Sequence, residues 1–322
     1  MTHKIDISHK TIIFVALFIL ALWIIFLIRD LLILLFVALI FVSALSPLVK
    51  FFVRLKLPKV LSIAISYIII IIILTGLVIS IIPPLIEESN KLIVTSPPLI
   101  AQFFNITNID KSVLSSELTS LSKNLFSITL SVFDNLLAII FLLVLTFYLL
   151  LEKDNLESRV SLLFRGREEK AKRLIVLIED KLGGWLRGQL VLSFIIGTMS
   201  YIGLTILNIP YALPLALIAG VMEVIPVIGP IISAIPAIFI ALTISPILSV
   251  GVAAMFFVIQ QFENHLIVPQ VMKRAVGLNP LVVILAIAIG SRLLGIPGAL
   301  LAVPMAVVVQ ILVTEAVEGR KT

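Results

Sequence analysis

The sequence predicts an all-α, polytopic integral membrane protein, and three observations carry the prediction. Of the 322 residues, 61% are hydrophobic and only 13% are charged, whereas soluble domains are about 45–50% apolar and about 25% charged. Six apolar runs reach or approach the roughly 20 residues that a membrane-spanning helix needs. Two further apolar stretches are too long for one span and are interrupted by Pro and Gly, which predicts two broken, re-entrant helical hairpins.

The six runs are predicted to be full spans. They cover residues 11–28, 31–49, 60–82, 136–151, 190–207 and 246–262, and the two hairpins cover 212–244 and 279–314. The first run is predicted to stay in the mature protein. It is longer than the apolar core of a typical signal peptide, and no small-residue cleavage site follows it.

Lys and Arg residues orient the spans, since the cytoplasmic loops of membrane proteins carry an excess of them. Nineteen of the 24 fall on one side of the predicted spans and four on the other, while Arg292 lies inside the second broken stretch. The bias predicts a multi-pass protein of the cell membrane with both termini in the cytoplasm. It also requires 212–244 to enter and leave on the outer side and 279–314 on the inner side. A double crossing of 212–244 by two short helices gives the same parity and stays open.

This orientation divides the chain into six segments. In chain order they are membrane helices at 1–82, an extracytoplasmic amphipathic segment at 83–135, a membrane helix at 136–151, a cytoplasmic amphipathic segment at 152–189, a core at 190–314 that holds both hairpins, and a cytoplasmic tail at 315–322.

The two broken stretches share a pattern of helix-breaking residues. The first has Gly229-Pro230 followed by Pro236, and the second has Pro297-Gly298 followed by Pro304 at the same spacing. Pro frees a backbone carbonyl and Gly permits a sharp turn, and freed backbone groups at membrane depth cannot face lipid. Matched breaks in a membrane protein indicate a solute or ion path. The alternative is that Pro and Gly are simply common in membrane helices.

Few ionisable groups lie in the apolar core. Between Gly188 and Phe262, Glu223 is the one ionisable side chain other than tyrosine. A carboxyl group at membrane depth is costly, so Glu223 is a candidate proton carrier or cation ligand; a Glu at a solvated hairpin tip is the alternative. Arg292 occupies the matched place in the second stretch. It could pair with Glu223, bind an anion or extend to the cytoplasmic headgroups.

A polar cluster closes the last run and completes the candidate path. It could line the path or form a solvated helix terminus, and His265, which belongs to it, is too isolated for a metal site. The candidate path residues are Glu223, Pro226, Gly229, Pro230, Pro236, Gln260, Gln261, Glu263, Asn264, Asn279, Pro280, Arg292, Pro297, Gly298 and Pro304.

Several classes of protein are excluded by what the sequence lacks. It has no Cys, so thiolate metal sites, disulfides and Cys nucleophiles are excluded. It has no G-x-S-x-G, H-E-x-x-H or G-K-[ST] motif, so we predict neither an enzyme nor an ATP-driven pump, and no cofactor or metal. The net charge of +6 reflects the cytoplasmic loops and predicts no nucleic-acid partner.

Five strings of residues resemble the autoinducer-2 exporter-like (PerM-like) family of permeases. They begin at Leu186 (LRGQ), Glu223 (EVIPVIGP), Gln261 (QFENHLIVP), Gly277 (GLNP) and Gly295 (GIPGALLAVP). The resemblance covers nearly the whole chain in layout and is most specific over 185–306. One departure is Asn279, which stands where many relatives have His.

The resemblance implies a secondary transporter that assembles as a homo-oligomer, with a mobile unit built from the broken hairpins. It is expected to export a small polar solute such as an autoinducer-2-like signal, or to act as an antiporter of Na⁺ and H⁺. The alternative is a passive channel or scaffold in which the hairpins are static. Matched hairpins with one buried carboxyl group favour coupled transport over a static pore.

Overall fold

The computed structural model describes residues 9–103, 136–162, 164, 166–226, 228–275 and 277–318, and these residues form helices with no strand among them. The helices are α1 (His9–Leu27), α2 (Arg29–Arg54), α3 (Lys59–Phe103), α4 (Leu136–Leu162), α5 (Glu168–Ile206), α6 (Ala212–Met222), α7 (Ile228–Ile244), α8 (Pro246–Phe262), a π-helical turn (Glu263–Ile267), α9 (Val268–Ala275) and α10 (Pro280–Glu318). The predicted all-α membrane architecture is confirmed.

Five helical segments in the described part of the chain are long and apolar enough to cross a bilayer. They are Arg29–Arg54, Lys59–Ile81, Glu168–Ile206, Pro246–Met272 and Leu281–Val317. Four coincide with predicted runs, and the fifth is the second broken stretch. The run 136–151 forms the first part of α4, which continues into charged residues as far as Leu162.

The first two predicted runs are joined rather than separated by a loop. Ile28, between α1 and α2, has φ −95° and ψ 10°. Its backbone N–H bonds to the Ile24 carbonyl at 2.9 Å, and its own carbonyl accepts from the Leu32 N–H at 3.0 Å. The two helices are therefore joined through Ile28 alone, with no loop between them.

Two predicted amphipathic segments are also built differently. Helix α3 continues through Pro83-Pro84 to Phe103, and the rest of the predicted outer segment, 104–135, lies outside the described residues. The segment 152–189 and the run 190–207 were predicted as separate elements. In the structure α5 is one helix from Glu168 to Ile206, because no Pro interrupts its sequence.

Helix α5 is the centre of the fold, since it packs against α2, α4, α6, α8, α9 and α10. One apolar core joins α2, α3 and α4 around Val42, Ile63 and Leu150. A second joins α2, α5 and α10, and a third joins α5 to the first hairpin and α8. Glycine allows the closest approaches: a Cβ on Gly220 of α6 would lie 2.7 Å from the Ser193 carbonyl oxygen of α5.

Candidate functional site

The turn of the first hairpin lies a few residues before the predicted position. Helix α6 ends at Met222 and α7 begins at Ile228, so the break spans Glu223 to Pro226 and Glu223 is itself in the turn. Gly229-Pro230, predicted to be the break, forms the first turn of α7, where Pro loses no hydrogen bond. Gly229 is nonetheless essential to the turn, because a Cβ there would overlap the Met222 carbonyl oxygen.

The Glu223 side chain meets a second carboxyl group, that of Glu263 on the π-helical turn after α8. The exposed fractions of the two residues are 1% and 3%, and the carboxyl groups lie in hydrogen-bonding contact. An ionised carboxylate can only accept hydrogen bonds, so a hydrogen bond between two carboxyl groups needs a proton on one of them. Glu223 Oε2 is buried and accepts no hydrogen bond from a donor in the described part of the chain.

Two glutamines complete this group, which we call the carboxyl cluster: Gln189, Glu223, Gln260 and Glu263. Gln189 of α5 is fully buried, and its Nε2 donates to the Glu223 backbone carbonyl at 2.6 Å. Gln260 of α8 donates from Nε2 to Glu263 Oε2 at 3.4 Å. Three separate parts of the fold therefore place amide and carboxyl groups around one buried point.

The second hairpin turns within α10. Gly295 has φ 64° and ψ −141°, a backbone conformation that suits Gly. Gly290 and Gly298 lie so close that a Cβ on either would overlap the carbonyl oxygen of the other, whereas residues eight apart in a straight helix are separated by about 12 Å. The chain therefore reverses between them. The break was predicted at Pro297-Gly298 and lies at Gly295, with Pro297 accommodated in the turn that follows.

The two hairpins meet beside the carboxyl cluster. Ile225, in the turn of the first hairpin, packs against a buried group on both arms of the second, formed by Ile287, Ala299 and Ala302. Pro304, on the same arm as Ala299 and Ala302, is also buried. The structure thus brings the turn that holds Glu223 against the second hairpin.

The other predicted path residues are distributed differently. Gln261 and Asn264 are exposed, and the segment that holds them is not a helix terminus, because α8 continues through the π-helical turn into α9. Arg292 is exposed near the tip of the second hairpin and forms no ion pair with Glu223. Asn279 accepts a hydrogen bond from the Leu281 N–H at 2.9 Å through Oδ1. It therefore caps the start of α10, with Pro280 as the first helical residue.

The remaining two path residues have local roles. Pro226 lies in the turn that contains Glu223, and Pro236 lies inside α7.

Sequence reasoning missed the role of Gln189 and the pairing of Glu263 with Glu223. Gln189 stands at the entry to an apolar run, where a polar residue is ordinary at a helix end. A glutamine on the helix that packs most extensively against the first hairpin could have been found only from the packing itself. Within the described residues no group of three or more His, Asp or Glu side chains could hold a metal ion.

Comparisons with known proteins agree on a class of membrane protein. A family model described as AI-2E family transporter matches residues 12–318. YrrI and YueF of Bacillus subtilis, both named as putative transport proteins, are similar to the chain. YrrI is 38% identical over 42% of the chain and 38% of its own length, and YueF is 27% identical over 82% of the chain and 78% of its own length.

A further relative is the AI-2 transport protein TqsA of Escherichia coli. It is 28% identical over 86% of the chain and 83% of its own length. The matched family is one of transporters, which confirms the prediction that the chain is not an enzyme. With the family model matched over almost all of its length, the chain belongs to the AI-2E family of transporters.

Proposed function

We propose that the chain is a secondary transporter of the cell membrane, coupled to H⁺ or Na⁺. The proposal has two versions. In the first the chain exports a small polar solute such as an autoinducer-2-like signal, and in the second it exchanges Na⁺ and H⁺. The name of TqsA supports the first version for that relative. The observation that carries the proposal is the buried Glu223–Glu263 carboxyl pair at the turn of a broken helix.

The carboxyl pair suits ion coupling for an electrostatic reason. Two adjacent carboxylates shielded from water repel each other, and a proton or a monovalent cation between them relieves that repulsion. Carboxylate and amide oxygens are also the ligands that hard cations prefer. We propose that one H⁺ or Na⁺ occupies the carboxyl cluster at a time, and that its entry and release change how the first hairpin packs on the second.

The path itself follows from the same arrangement. We propose that the solute or ion passes where the two hairpin turns meet, beside Glu223, Gln260 and Glu263. Helix α6 has 11 residues and α7 has 17, which is about 16 and 25 Å of helix against a hydrocarbon core of about 30 Å. These lengths support a re-entrant first hairpin over a double crossing. The protein is further proposed to form a homo-oligomer with both termini in the cytoplasm.

The test is flux into proteoliposomes that contain the purified protein, measured with and without a pH gradient and with and without Na⁺. Autoinducer-2 and Na⁺ itself are the two probes. Saturable flux that a gradient drives supports the proposal, whereas an unsaturable leak indicates the passive channel.

Two variants link that flux to the carboxyl pair. Glu223→Gln and Glu263→Gln keep the shape and remove the ionisable group, so each is expected to abolish gradient-driven flux while insertion persists. Glu169→Gln, at an exposed position of α5, is the matched control and should transport normally. Wild-type flux with unchanged gradient dependence in both variants would contradict the proposal.

A further inference from the structure

A second candidate site lies between α2, α4 and α5, apart from the carboxyl cluster. It is a cavity of about 440 Å³, which we call the basic pocket. Arg187 of α5 lines it, whereas Gln189, two residues later, belongs to the carboxyl cluster. Residues two apart on an α-helix point to nearly opposite sides, so α5 separates the two sites.

Positive charge dominates the basic pocket. Four basic side chains line it, namely Lys50, Arg54, Lys153 and Arg187, with two acidic ones, Glu179 and Asp180. Lys153 Nζ lies 2.6 Å from Glu179 Oε2. The other lining charges are the three cations of Lys50, Arg54 and Arg187 and the one carboxylate of Asp180. The pocket therefore carries a net charge of about +2, and an anion entering it would be attracted.

Two contacts hold the basic groups in position. Lys153 Nζ also donates to Ser46 Oγ at 3.1 Å, and Arg187 Nη1 donates to the Ser43 backbone carbonyl at 3.4 Å. Gly183 admits that arginine, because a Cβ there would lie 2.8 Å from Arg187 Nη1. Side chains fixed in this way lose little freedom when a ligand binds, which favours affinity.

The place of the pocket along the helices indicates its ligand. Lys50 directly follows the apolar run 31–49, Lys153 follows 136–151, and Arg187 precedes 190–207. The pocket therefore lies where apolar helix gives way to charge, which is the depth of lipid headgroups. Phe51, which lines it, is 56% exposed and offers an apolar surface to an acyl chain.

We propose that the basic pocket binds a phosphate-bearing anion, and that its source is the headgroup of an anionic lipid. Guanidinium and ammonium groups are the usual protein partners of phosphate, and basic pockets between membrane helices bind anionic headgroups.

The experiment measures thermal stabilisation of the purified full-length protein in detergent by three probes. These are short-chain phosphatidylglycerol, short-chain phosphatidylcholine and inorganic phosphate. The double variant Lys50→Gln/Arg54→Gln changes two exposed residues at the mouth, and Lys172→Gln/Arg173→Gln removes the same charge from exposed positions outside the pocket. Phosphatidylglycerol is expected to stabilise the wild type, and its apparent Kd to rise about tenfold or more in the first variant only.

The outcomes separate the sources of phosphate. Stabilisation by phosphatidylglycerol alone identifies the lipid as the ligand, and equal stabilisation by inorganic phosphate identifies the free anion. Either result supports the phosphate site if the stabilisation is lost in Lys50→Gln/Arg54→Gln. Equal responses of the two double variants, or equal stabilisation by phosphatidylcholine, would overturn it. So would wild-type binding that does not weaken with added salt, since attraction between exposed charges is screened.

Discussion

The close approach of Gly290 and Gly298 makes Gly298→Ala a sharp test of the second hairpin. The added Cβ would lie 2.6 Å from the Gly290 carbonyl carbon and 2.8 Å from Leu294 Cβ. Ordinary contacts of a Cβ begin near 3.4 Å, so the two arms must separate by roughly 0.8 Å or more, the difference between those distances. The obstacle is backbone rather than a flexible side chain, so it cannot rotate away.

Overpacking of this kind typically costs about 1–3 kcal/mol, and a backbone obstacle places Gly298→Ala at the upper end. The apparent Tm in detergent should fall by about 2–6 °C. Because Ala299 and Ala302 pack against Ile225 of the first hairpin, separating the arms also disturbs the turn that holds Glu223. Transport should therefore fall more than tenfold per inserted protein, and further for Gly298→Val.

Gly251→Ala is the control, since Gly251 lies within α8 and has open space around its Cβ position. This change should leave flux unaltered and stabilise the protein slightly, because Ala favours helix over Gly by at most about 1 kcal/mol. The assay is a thermal melt together with proteoliposome flux for the wild type and the three variants. If Gly298→Ala melts and transports like Gly251→Ala, the arms are not in contact and the hairpin interpretation is wrong.

Two further predictions concern the charged end of α4 and the orientation of the chain. Lys59 Nζ lies 2.9 Å from Asp154 Oδ2, and this hydrogen bond holds the pKa of Asp154 below its usual range. Asp154→Asn should therefore lower the free energy of unfolding by at most about 1 kcal/mol at neutral pH. As the pH falls below about 4 the wild-type carboxylate is protonated, and the difference in Tm between the two proteins should vanish. A difference in Tm that persists in acid would refute the pairing. In intact cells an impermeant maleimide should label Ser245→Cys but not Lys273→Cys, and labelling of Lys273→Cys would reverse the proposed orientation.

The presence of two hairpins could be predicted from the sequence, whereas the positions of their turns could not. Pro and Gly mark a break only to within a few residues, since Pro fits the first turn of a helix as well as the turn before it. In both hairpins the backbone reverses before the marked pair, at Glu223–Pro226 and at Gly295. The sequence pattern therefore placed Glu223 in a helix before the turn, whereas the structure places it in the turn itself.

The carboxyl cluster could be predicted only in part. Glu223 stands out because its apolar surroundings along the chain make a carboxyl group costly. Glu263 lies 40 residues away among other polar residues, and a linear pattern cannot show which of them turns inward. In the structure Glu263 is buried and its neighbour Asn264 is exposed, a distinction that depends on the local helical register.

That register is set by the π-helical turn at Glu263–Ile267. A π-helical turn holds more residues than an α-helical turn and does not end the helix. It therefore rotates the side chains of α9 about the helix axis relative to those of α8. Glu263 thereby reaches Glu223, while Met272 still packs against Gly188 of α5. Reversion of this turn to ordinary helix would rotate one of these contacts away from its partner. A single hydrogen-bond slip would thus join or part the two carboxyl groups without moving α5, the axis around which the other helices are arranged.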